Sequence, residues 1–193
     1  MQSVEENEYV FEIKNSKFIS FVFHLTCTED VERYLRMVKI KYPDATHYCY
    51  SYIFGKKRYS SDDGEPSGTA GIPILLVLEK KNLNHVLCIV VRYFGKIKLG
   101  AGGLVRAYTK AASECIKNHI IFLKEGYLIE ITFSYSSLKE IDYLLKKKKI
   151  LKKDFQNEIT YQFNIGKEEL KEFQSKPYLK VKILDKIYFR EEE

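Results

Sequence analysis

The sequence contains few of the residues that build disulfide frameworks, zinc sites and membrane-spanning segments. Its 193 residues include four cysteines, none of them in a CxxC pair, and four histidines that never pair at metal-binding spacing. This pattern argues against a disulfide scaffold and against a structural zinc site. No apolar run approaches the ~20 residues that a membrane-spanning helix needs, and the acidic first residues lack the apolar segment of a signal peptide. We therefore expect a soluble cytoplasmic protein with no metal, no cofactor, no membrane contact and no disulfide-linked partner.

Tryptophan is also absent, and 15 tyrosines and 12 phenylalanines supply the aromatic side chains. The chain is 45% apolar and 30% charged, a composition that lets burial offset the entropy lost on folding. Its length suits one large domain or two small ones, because domains cluster at roughly 100–150 residues. A net charge of +6 permits an anionic partner such as RNA but does not require one.

Hydrophobic periodicity divides the chain into two α+β parts. In the first part, alternating or apolar segments predict strands at residues 9–13, 17–24, 45–54, 58–60 and 86–91. Helical spacing predicts a helix between Thr28, as N-cap, and Pro43, and two more at residues 72–80 and 101–118. The unbroken apolar run 86–91 is typical of a central strand buried on both faces.

The second part has the element order β-α-β-β-α-β, which is typical of a ferredoxin-like domain. Its predicted elements are a strand at 127–135, a helix at 136–148, strands at 151–154 and 158–165, a helix at 167–174 and a strand at 178–188. We place the boundary near Gly126 and predict domains over residues 1–124 and 125–193.

The densest polar feature is the acidic loop, residues 61–71, with the sequence SDDGEPSGTAG. Three carboxylates within four positions suit a hard cation or a basic partner, although the spacing is not that of an EF-hand. Alternatively, the loop is an ordered turn in which Asp62 or Asp63 caps backbone N–H groups and Ser67 or Thr69 caps the next helix. The predicted partner or ligand site consists of His47, Asp62, Asp63, Glu65, Ser67 and Thr69.

The glycine-rich block, residues 92–108, joins the end of the buried strand to the start of the third helix. Glycines let a backbone approach an anion closely, and a helix N-terminus offers unpaired N–H groups. Alternatively, the glycines only allow the helix to pack tightly on the sheet. The predicted nucleic-acid or anion site consists of Arg92, Lys96, Lys98, Gly100, Gly102, Gly103, Arg106 and Lys110.

Two further features suit RNA contact, and each has a simpler structural explanation. A C-terminal basic patch is predicted from Lys146, Lys147, Lys148, Lys149, Lys152 and Lys153. Such a run is usually solvated charge, and lysines at a helix C-terminus also suit the helix dipole. An aromatic stripe of Tyr48, Tyr50, Tyr52 and Phe54 could stack on bases, but core packing is the favoured interpretation.

An enzymatic alternative centres on His47. This residue shares a strand face with Cys49 and could meet Asp62, Asp63 or Glu65 in an acid–base or metal site. No nucleophile motif appears in the sequence. We therefore favour a protein without catalysis and assign no catalytic residue, while leaving this alternative open.

The strings DDGEPSGTAG at 62–71 and RYFGKIKLGAGGLVRAY at 92–108, with HYCY at 47–50, resemble the signature of the IMPACT/YigZ family. The resemblance covers most of residues 14–120. It implies an N-terminal β-α-β domain like those of a ribosomal protein and elongation factors, followed by a ferredoxin-like C-terminal domain. Eukaryotic relatives regulate translation through an extra N-terminal partner-binding domain, which this bacterial-type, two-domain chain is expected to lack. The family usually has glycine where this chain has Lys96, which would be strained if that residue needs a positive φ.

These observations predict a non-enzymatic, translation-associated regulator that binds RNA or a ribosomal component. One alternative is a module that binds a protein partner in stress-linked control of translation. A second is a hydrolase or metal-dependent enzyme that uses the acidic loop near His47.

Overall fold

The computed structural model describes residues 1–190. The chain divides into two units, one formed by residues 2–121 and the other by Met1 with the residues from Phe122 onward. Each unit is described by itself. Within the described residues, none of the helices combines the length and the apolar content needed to cross a bilayer.

The first unit is built on a five-stranded antiparallel sheet. The five strands of this sheet are β2 (Asn7–Ile13), β3 (Ser16–His24), β4 (His47–Phe54), β5 (Lys57–Ser61) and β6 (Val86–Tyr93). Two short strands lie outside it, β1 (Gln2–Val4) and β7 (Ile120–Phe122), and the last residue of β7 is the first of the segment assigned to the other unit. The helices are α1 (Asp30–Lys41), α2 (Gly71–Lys80) and α3 (Ala101–Ile116). The sheet order is β2-β3-β6-β4-β5, while β1 pairs with β7. The central position of β6 confirms the prediction from the run 86–91, because this strand is buried from Val86 to Arg92.

Helices cover both faces of this sheet. One core lies between the sheet and α1, and the other lies between the sheet and the pair α2 and α3. Strands β3 and β4 both run antiparallel to β6, which lies between them, so they are parallel to each other. With α1, which connects them, they form a β-α-β crossover that has β6 inserted between its two strands. The α+β class predicted for the chain is confirmed.

Strand β4 presents different side chains to the two cores. Tyr52 is buried in the α1-side core, and Tyr48, Tyr50 and Phe54 pack against it. On the other face, Cys49 is buried beneath α2 and α3. The aromatic stripe therefore packs on the α1-side core, which is the interpretation that the sequence favoured.

The start of α1 differs from the prediction. Its N-cap residue is Glu29, and no side chain caps the helix there, so Thr28 is not the cap. Instead, the Asp30 carboxylate turns back and accepts hydrogen bonds from the backbone N–H groups of Thr26 and Cys27. A carboxylate inside the first turn thus satisfies donors that precede the helix.

The second unit has a four-stranded sheet with two helices. Its elements are β8 (Lys124–Phe133), a 3-10 turn (Tyr135–Ser137), α4 (Leu138–Leu144), β9 (Ile150–Phe155), β10 (Ile159–Gly166), α5 (Lys167–Gln174) and β11 (Lys180–Phe189). The strand order β11-β8-β10-β9, antiparallel throughout, is that of the predicted ferredoxin-like fold. Helix α4 ends earlier than predicted, since the chain must turn to reach β9 and neighbouring lysines disfavour another helical turn.

Candidate functional site

The acidic loop and the glycine-rich block meet at an open pocket of about 400 Å³ in the first unit. Its walls come from the start of β4, the acidic loop, the end of β6, the glycine-rich loop and the first turn of α3. We call it the α3 pocket. Of the predicted site residues, it brings together His47, Glu65, Arg92, Lys98 and Gly100.

Glu65 holds the floor of the α3 pocket together. Its Oε1 accepts hydrogen bonds from Arg92 Nη1 at 2.5 Å and from the Tyr108 hydroxyl at 2.7 Å. The side chains of Glu65 and Arg92 are 3% and 5% exposed, so this is a buried ion pair. Removing one partner of such a pair leaves an uncompensated buried charge, which costs about 3–5 kcal/mol.

Two of the three nitrogens of the Arg92 guanidinium donate hydrogen bonds to described residues. Its Nη2 donates a long hydrogen bond of 3.4 Å to Ser16 Oγ. Its Nε is buried and has no hydrogen-bond partner among the described residues. A buried donor without an acceptor is rare in folded proteins. Arg92 lines the α3 pocket through other atoms, since Nε itself is shielded from solvent.

Cys49 and Tyr108 lie beneath this ion pair and remain protonated. The Cys49 thiol is 2.9 Å from the Asp62 carbonyl oxygen and 3.3 Å from the Tyr108 hydroxyl. Burial raises the pKa of Cys49 to about 12, and burial likewise raises the pKa of Tyr108 far above its usual value. Because the thiolate is the nucleophilic form of cysteine, Cys49 is unsuited to nucleophilic chemistry.

His47 is fixed at the rim of the pocket by the acidic loop. Its Nδ1 lies 2.8 Å from the Asp63 carbonyl oxygen. A carbonyl oxygen only accepts, so Nδ1 carries the hydrogen, and Nε2 is the bare acceptor of the neutral ring. This Nε2 lies 3.9 Å from Glu65 Oε2, where a protonated His47 would form a second ion pair with Glu65.

The other two carboxylates of the acidic loop are used within the loop itself. Asp62 accepts hydrogen bonds from the backbone N–H groups of Gly68, Ala70 and Gly71. Burial raises the pKa of Asp62, but these three donors outweigh it and hold the pKa below its usual value. Asp63 Oδ2 accepts from Tyr48 N at 2.6 Å.

Asp62 is the side chain that serves the start of α2. The residue before the helix, Ala70, has no capping side chain. Thr69 Oγ1 donates instead to the Pro66 carbonyl oxygen at 2.6 Å, and Ser67 is exposed. The prediction that Ser67 or Thr69 caps α2 is therefore wrong, because Asp62 reaches the cap from eight positions upstream.

The glycine-rich loop leads into a helix start without a side-chain cap. Gly100, with φ of 71°, is the N-cap residue of α3, and no side chain bonds to the first N–H groups there. Such N–H groups, at the positive end of the helix dipole, suit an anion. Lys98 is exposed beside them, and both Lys98 and Gly100 line the α3 pocket.

The glycine-rich loop also contains one close approach and one strained residue. A Cβ on Gly95 would lie 2.0 Å from the backbone carbon of Asn15, so only glycine fits there. Lys96, one position later, has a φ of 64°. The strain expected for a lysine where the family usually has glycine is therefore present.

Arg106 and Lys110 do not reach the α3 pocket. They line a second pocket of about 300 Å³, which lies between α3 and the β2–β3 turn. Gly103 lines the same pocket, and a Cβ on it would lie 3.1 Å from Leu99 Cβ. A Cβ on Gly102 would lie 3.6 Å from Arg106 Nη1. Six residues of the predicted anion site are thus divided between two neighbouring pockets, whereas Lys96 and Gly102 line neither of them.

The lysines of the second unit follow α4 and continue into β9. Lys148 pairs with Glu169 at 2.6 Å, and Lys153 lies 3.6 Å from Asp142. Lys146, Lys147, Lys149 and Lys152 are exposed. Part of this charge is therefore neutralised by neighbouring carboxylates.

The pattern of the sequence did not identify the roles of Tyr108, which lies beneath the α3 pocket, and of Phe94, which lies in its wall. Tyr108 belongs to the apolar face of α3, and nothing in that spacing indicates that its hydroxyl meets Glu65. Phe94 follows the buried run as an apparent continuation of it, yet it is 43% exposed and lines the pocket. The sequence feature that could have indicated its place in the pocket is a large aromatic residue at the end of a buried strand, next to glycines.

Comparison with known proteins agrees with this arrangement. The Impact N-terminal domain model matches residues 14–116, which contain both blocks. The chain is 36% identical to the IMPACT family member YvyE of Bacillus subtilis, over 86% of this chain and 78% of that protein. It is 34% identical to the IMPACT family member YigZ of Escherichia coli, over 86% of each.

A solved structure shares the fold along nearly the whole chain. It is a crystal structure of a hypothetical protein that is 29% identical, with a TM-score of 0.64 over 95% of this chain and 97% of that one. An IMPACT family member of Haemophilus influenzae is 36% identical, over 89% of this chain and 88% of that protein. The matching family model covers more than half of the sequence, and relatives at 36% identity are matched over most of their length. The chain therefore belongs to the IMPACT family.

Proposed function

We propose that this protein is a non-enzymatic, translation-associated regulator that binds RNA, or an RNA component of the ribosome, through the α3 pocket. The translational role rests on the family resemblance. The RNA contact rests on the pocket itself. The observation that carries it is an open pocket whose wall combines the buried Arg92, the exposed Lys98 and the uncapped start of α3.

The polar side of the pocket suits a phosphate group. Lys98 supplies a mobile positive charge, and the uncapped first turn of α3 supplies backbone N–H donors. Phosphate contacts from lysines, arginines and helix N-termini provide most of the affinity of nucleic-acid binding. Glu65 does not cancel this charge, because its Oε1 is already paired with Arg92.

The apolar side of the pocket suits a base. Phe94 is 43% exposed there, and Leu99 and Leu104 form the adjoining wall. One face of the Phe94 ring lies 5.4 Å from the Arg92 guanidinium carbon. Proteins that bind unpaired RNA stack bases on aromatic rings of this kind.

A binding role is favoured over catalysis. The candidate nucleophile, Cys49, is buried with its pKa raised to about 12. Glu65 is held by Arg92 and Tyr108, and Asp62 is held by three backbone donors. In residues 1–190, no three histidine, cysteine or carboxylate groups are placed to share a metal ion. The same engagement of carboxylates disfavours a protein partner that docks on the acidic loop.

Fluorescence anisotropy with a labelled single-stranded hexauridylate tests the proposal. We expect binding by the intact chain that weakens steeply with salt, and at least a tenfold loss for Phe94→Ala and for Lys98→Gln. Matched controls are Ile40→Ala, since Ile40 is 74% exposed on α1, and Lys117→Gln at the far end of α3. Equal losses in the controls, or no binding at low salt, would contradict the proposal.

A further inference from the structure

We infer that the RNA is single-stranded and passes from the α3 pocket into the second pocket, so that the site recognises consecutive nucleotides. This inference rests on the proposed function. It assigns a role to Lys14, Arg106 and Lys110, which lie outside the α3 pocket. The second pocket has a volume of about 300 Å³ and is lined by all three of these side chains.

The two pockets are neighbours on the same helix. Leu99 lines both of them, so its side chain forms the ridge between them. Leu104 of α3 faces the first pocket, whereas Ala107 and Lys110 face the second. These positions lie within two turns of the helix, and each turn rises about 5.4 Å. A chain with a repeating phosphate can therefore contact both pockets by crossing Leu99.

The charge of the second pocket complements a phosphate. Three basic side chains line it, and Glu12 is the only acidic one in its wall. Lys110 Nζ lies 4.7 Å from the centroid of the Phe11 ring. Phe11 also stacks on Phe18, with ring centroids 5.1 Å apart. Since the Phe11 ring already contacts Lys110 and Phe18, this pocket offers charge more than a stacking surface.

The two pockets therefore contact different parts of the single-stranded RNA. The α3 pocket presents the exposed Phe94 ring to a base, and the second pocket presents positive charge to the neighbouring phosphate. A base enters a pocket of this kind only when it is unstacked and unpaired. Duplex RNA presents phosphates but no free base faces, so the arrangement selects single strands.

The turn between β2 and β3 holds the second pocket in place beside the first. Ser16 Oγ accepts hydrogen bonds from both Arg92 and Gly95. Gly95 in turn lies against the backbone of Asn15, where no Cβ fits. The two pockets therefore belong to one packed arrangement within the first unit.

Competition experiments against the labelled hexauridylate test this inference. Unlabelled uridine monophosphate, tetrauridylate, hexauridylate and an RNA duplex rich in guanine–cytosine pairs, which stays paired under the assay conditions, are compared as competitors. We expect the tetramer to compete at least tenfold better than the monophosphate, and the duplex to compete at least tenfold worse than the free hexamer. In the double variant Arg106→Gln/Lys110→Gln the advantage of the tetramer is lost, whereas Lys117→Gln retains it.

The outcomes separate this inference from the proposed function. If the hexamer binds through Phe94 and Lys98 but length gives no advantage, or if the double variant keeps the advantage, the path across Leu99 is wrong and the α3 pocket stands. If the hexamer does not bind, both fail. Circular dichroism melting of each variant ensures that a loss of binding is not a loss of folding.

Discussion

Glu65 Oε1 accepts a hydrogen bond from Arg92 Nη1 at 2.5 Å, which ties the acidic loop to the central strand of the first sheet. The Tyr108 hydroxyl donates to the same oxygen and adds α3 to the connection. The two signature blocks of the family thus meet at one buried carboxylate. This contact explains why an acidic loop and a basic strand end occur together in the sequence.

The first prediction concerns this ion pair. Glu65→Ala leaves Arg92 buried and unpaired, so we expect the free energy of unfolding to fall by about 3–5 kcal/mol. Urea unfolding followed by circular dichroism measures it. The matched control is Glu79→Ala, because Glu79 forms an exposed ion pair with Arg58 and should lose no more than about 1 kcal/mol. Similar losses in the two variants would contradict the structural role of Glu65.

The second prediction concerns the strained Lys96. Its φ of 64° is costly for a side chain with a Cβ but not for glycine. We expect Lys96→Gly to raise the free energy of unfolding by up to about 1 kcal/mol, after allowing for the greater freedom of glycine in the unfolded chain. Lys96→Ala, which removes the charge and keeps the Cβ, should give no such gain.

The neighbouring position gives the opposite expectation. Gly95→Ala places a Cβ 2.0 Å from the Asn15 backbone, so this variant should be strongly destabilised. Thermal melting of the three variants measures both effects. A gain from Lys96→Ala equal to that from Lys96→Gly would mean that charge repulsion, rather than backbone strain, is relieved.

The third prediction is a pH dependence of stability. The pKa of Asp62 in the folded protein lies below its usual value, despite burial, because three backbone N–H groups donate to it. A carboxyl group whose pKa is lower in the folded protein than in the unfolded chain stabilises the fold at pH values above its unfolded pKa, which is about 3.9 for aspartate. This stabilisation is lost as the pH falls through the pKa of the folded state. The free energy of unfolding should therefore decrease below about pH 4.

Asp62→Asn removes this contribution and serves as the test. We expect the variant to depend less on pH in the acidic range, because an amide does not titrate there, whereas Asp62→Ala, which removes the capping oxygens, should lose about 0.5–2 kcal/mol at pH 7. Asp30 also has a lowered pKa, opposed by burial and caused by hydrogen bonds from Arg33 and Thr26. Asp30 therefore leaves a residual slope. An unchanged acidic slope in Asp62→Asn would contradict the capping role of Asp62.

The fourth prediction concerns thiol reactivity. Burial raises the pKa of Cys49 to about 12 and of Cys115 to about 11, and it raises the pKa of the fully buried Cys88 well above its usual value. Cys27 is the partly exposed cysteine. A thiol-reactive disulfide reagent should therefore label one cysteine quickly in the native protein and all four after denaturation. Cys27→Ser should abolish the fast phase. Fast labelling of Cys49 would instead support the enzymatic alternative.

Local patterns predicted much of the fold. The apolar run 86–91 predicted a central strand because burial on both faces removes the alternation of polar residues. The second part followed from its order of periodic segments, which matches the observed ferredoxin-like sheet. Periodicity did not predict the end of α4, because Leu144 and Leu145 continue the helical spacing of apolar residues. In the structure the helix ends at Leu144, and the lysines that follow turn the chain toward β9.

The site was predicted less completely, because its key contacts join distant parts of the chain. Asp62 caps a helix from eight positions upstream, beyond the reach of any local capping pattern. The hydroxyl of Tyr108 meets Glu65 across 43 positions. The division of the anion site into two pockets depends on where Leu99 lies in the fold, which sequence spacing does not reveal.

The most direct test of the proposed RNA contact is a nitrogen–proton NMR titration of the chain with unlabelled hexauridylate. Among residues 1–190, Arg92 Nε is buried without an acceptor, and no side chain caps the first N–H groups of α3. We predict that the Arg92 Nε–H signal and the amide signals of Ala101, Gly102 and Gly103 shift progressively as RNA is added. Shifts confined to other surfaces, with these four signals unchanged at saturation, would contradict the account.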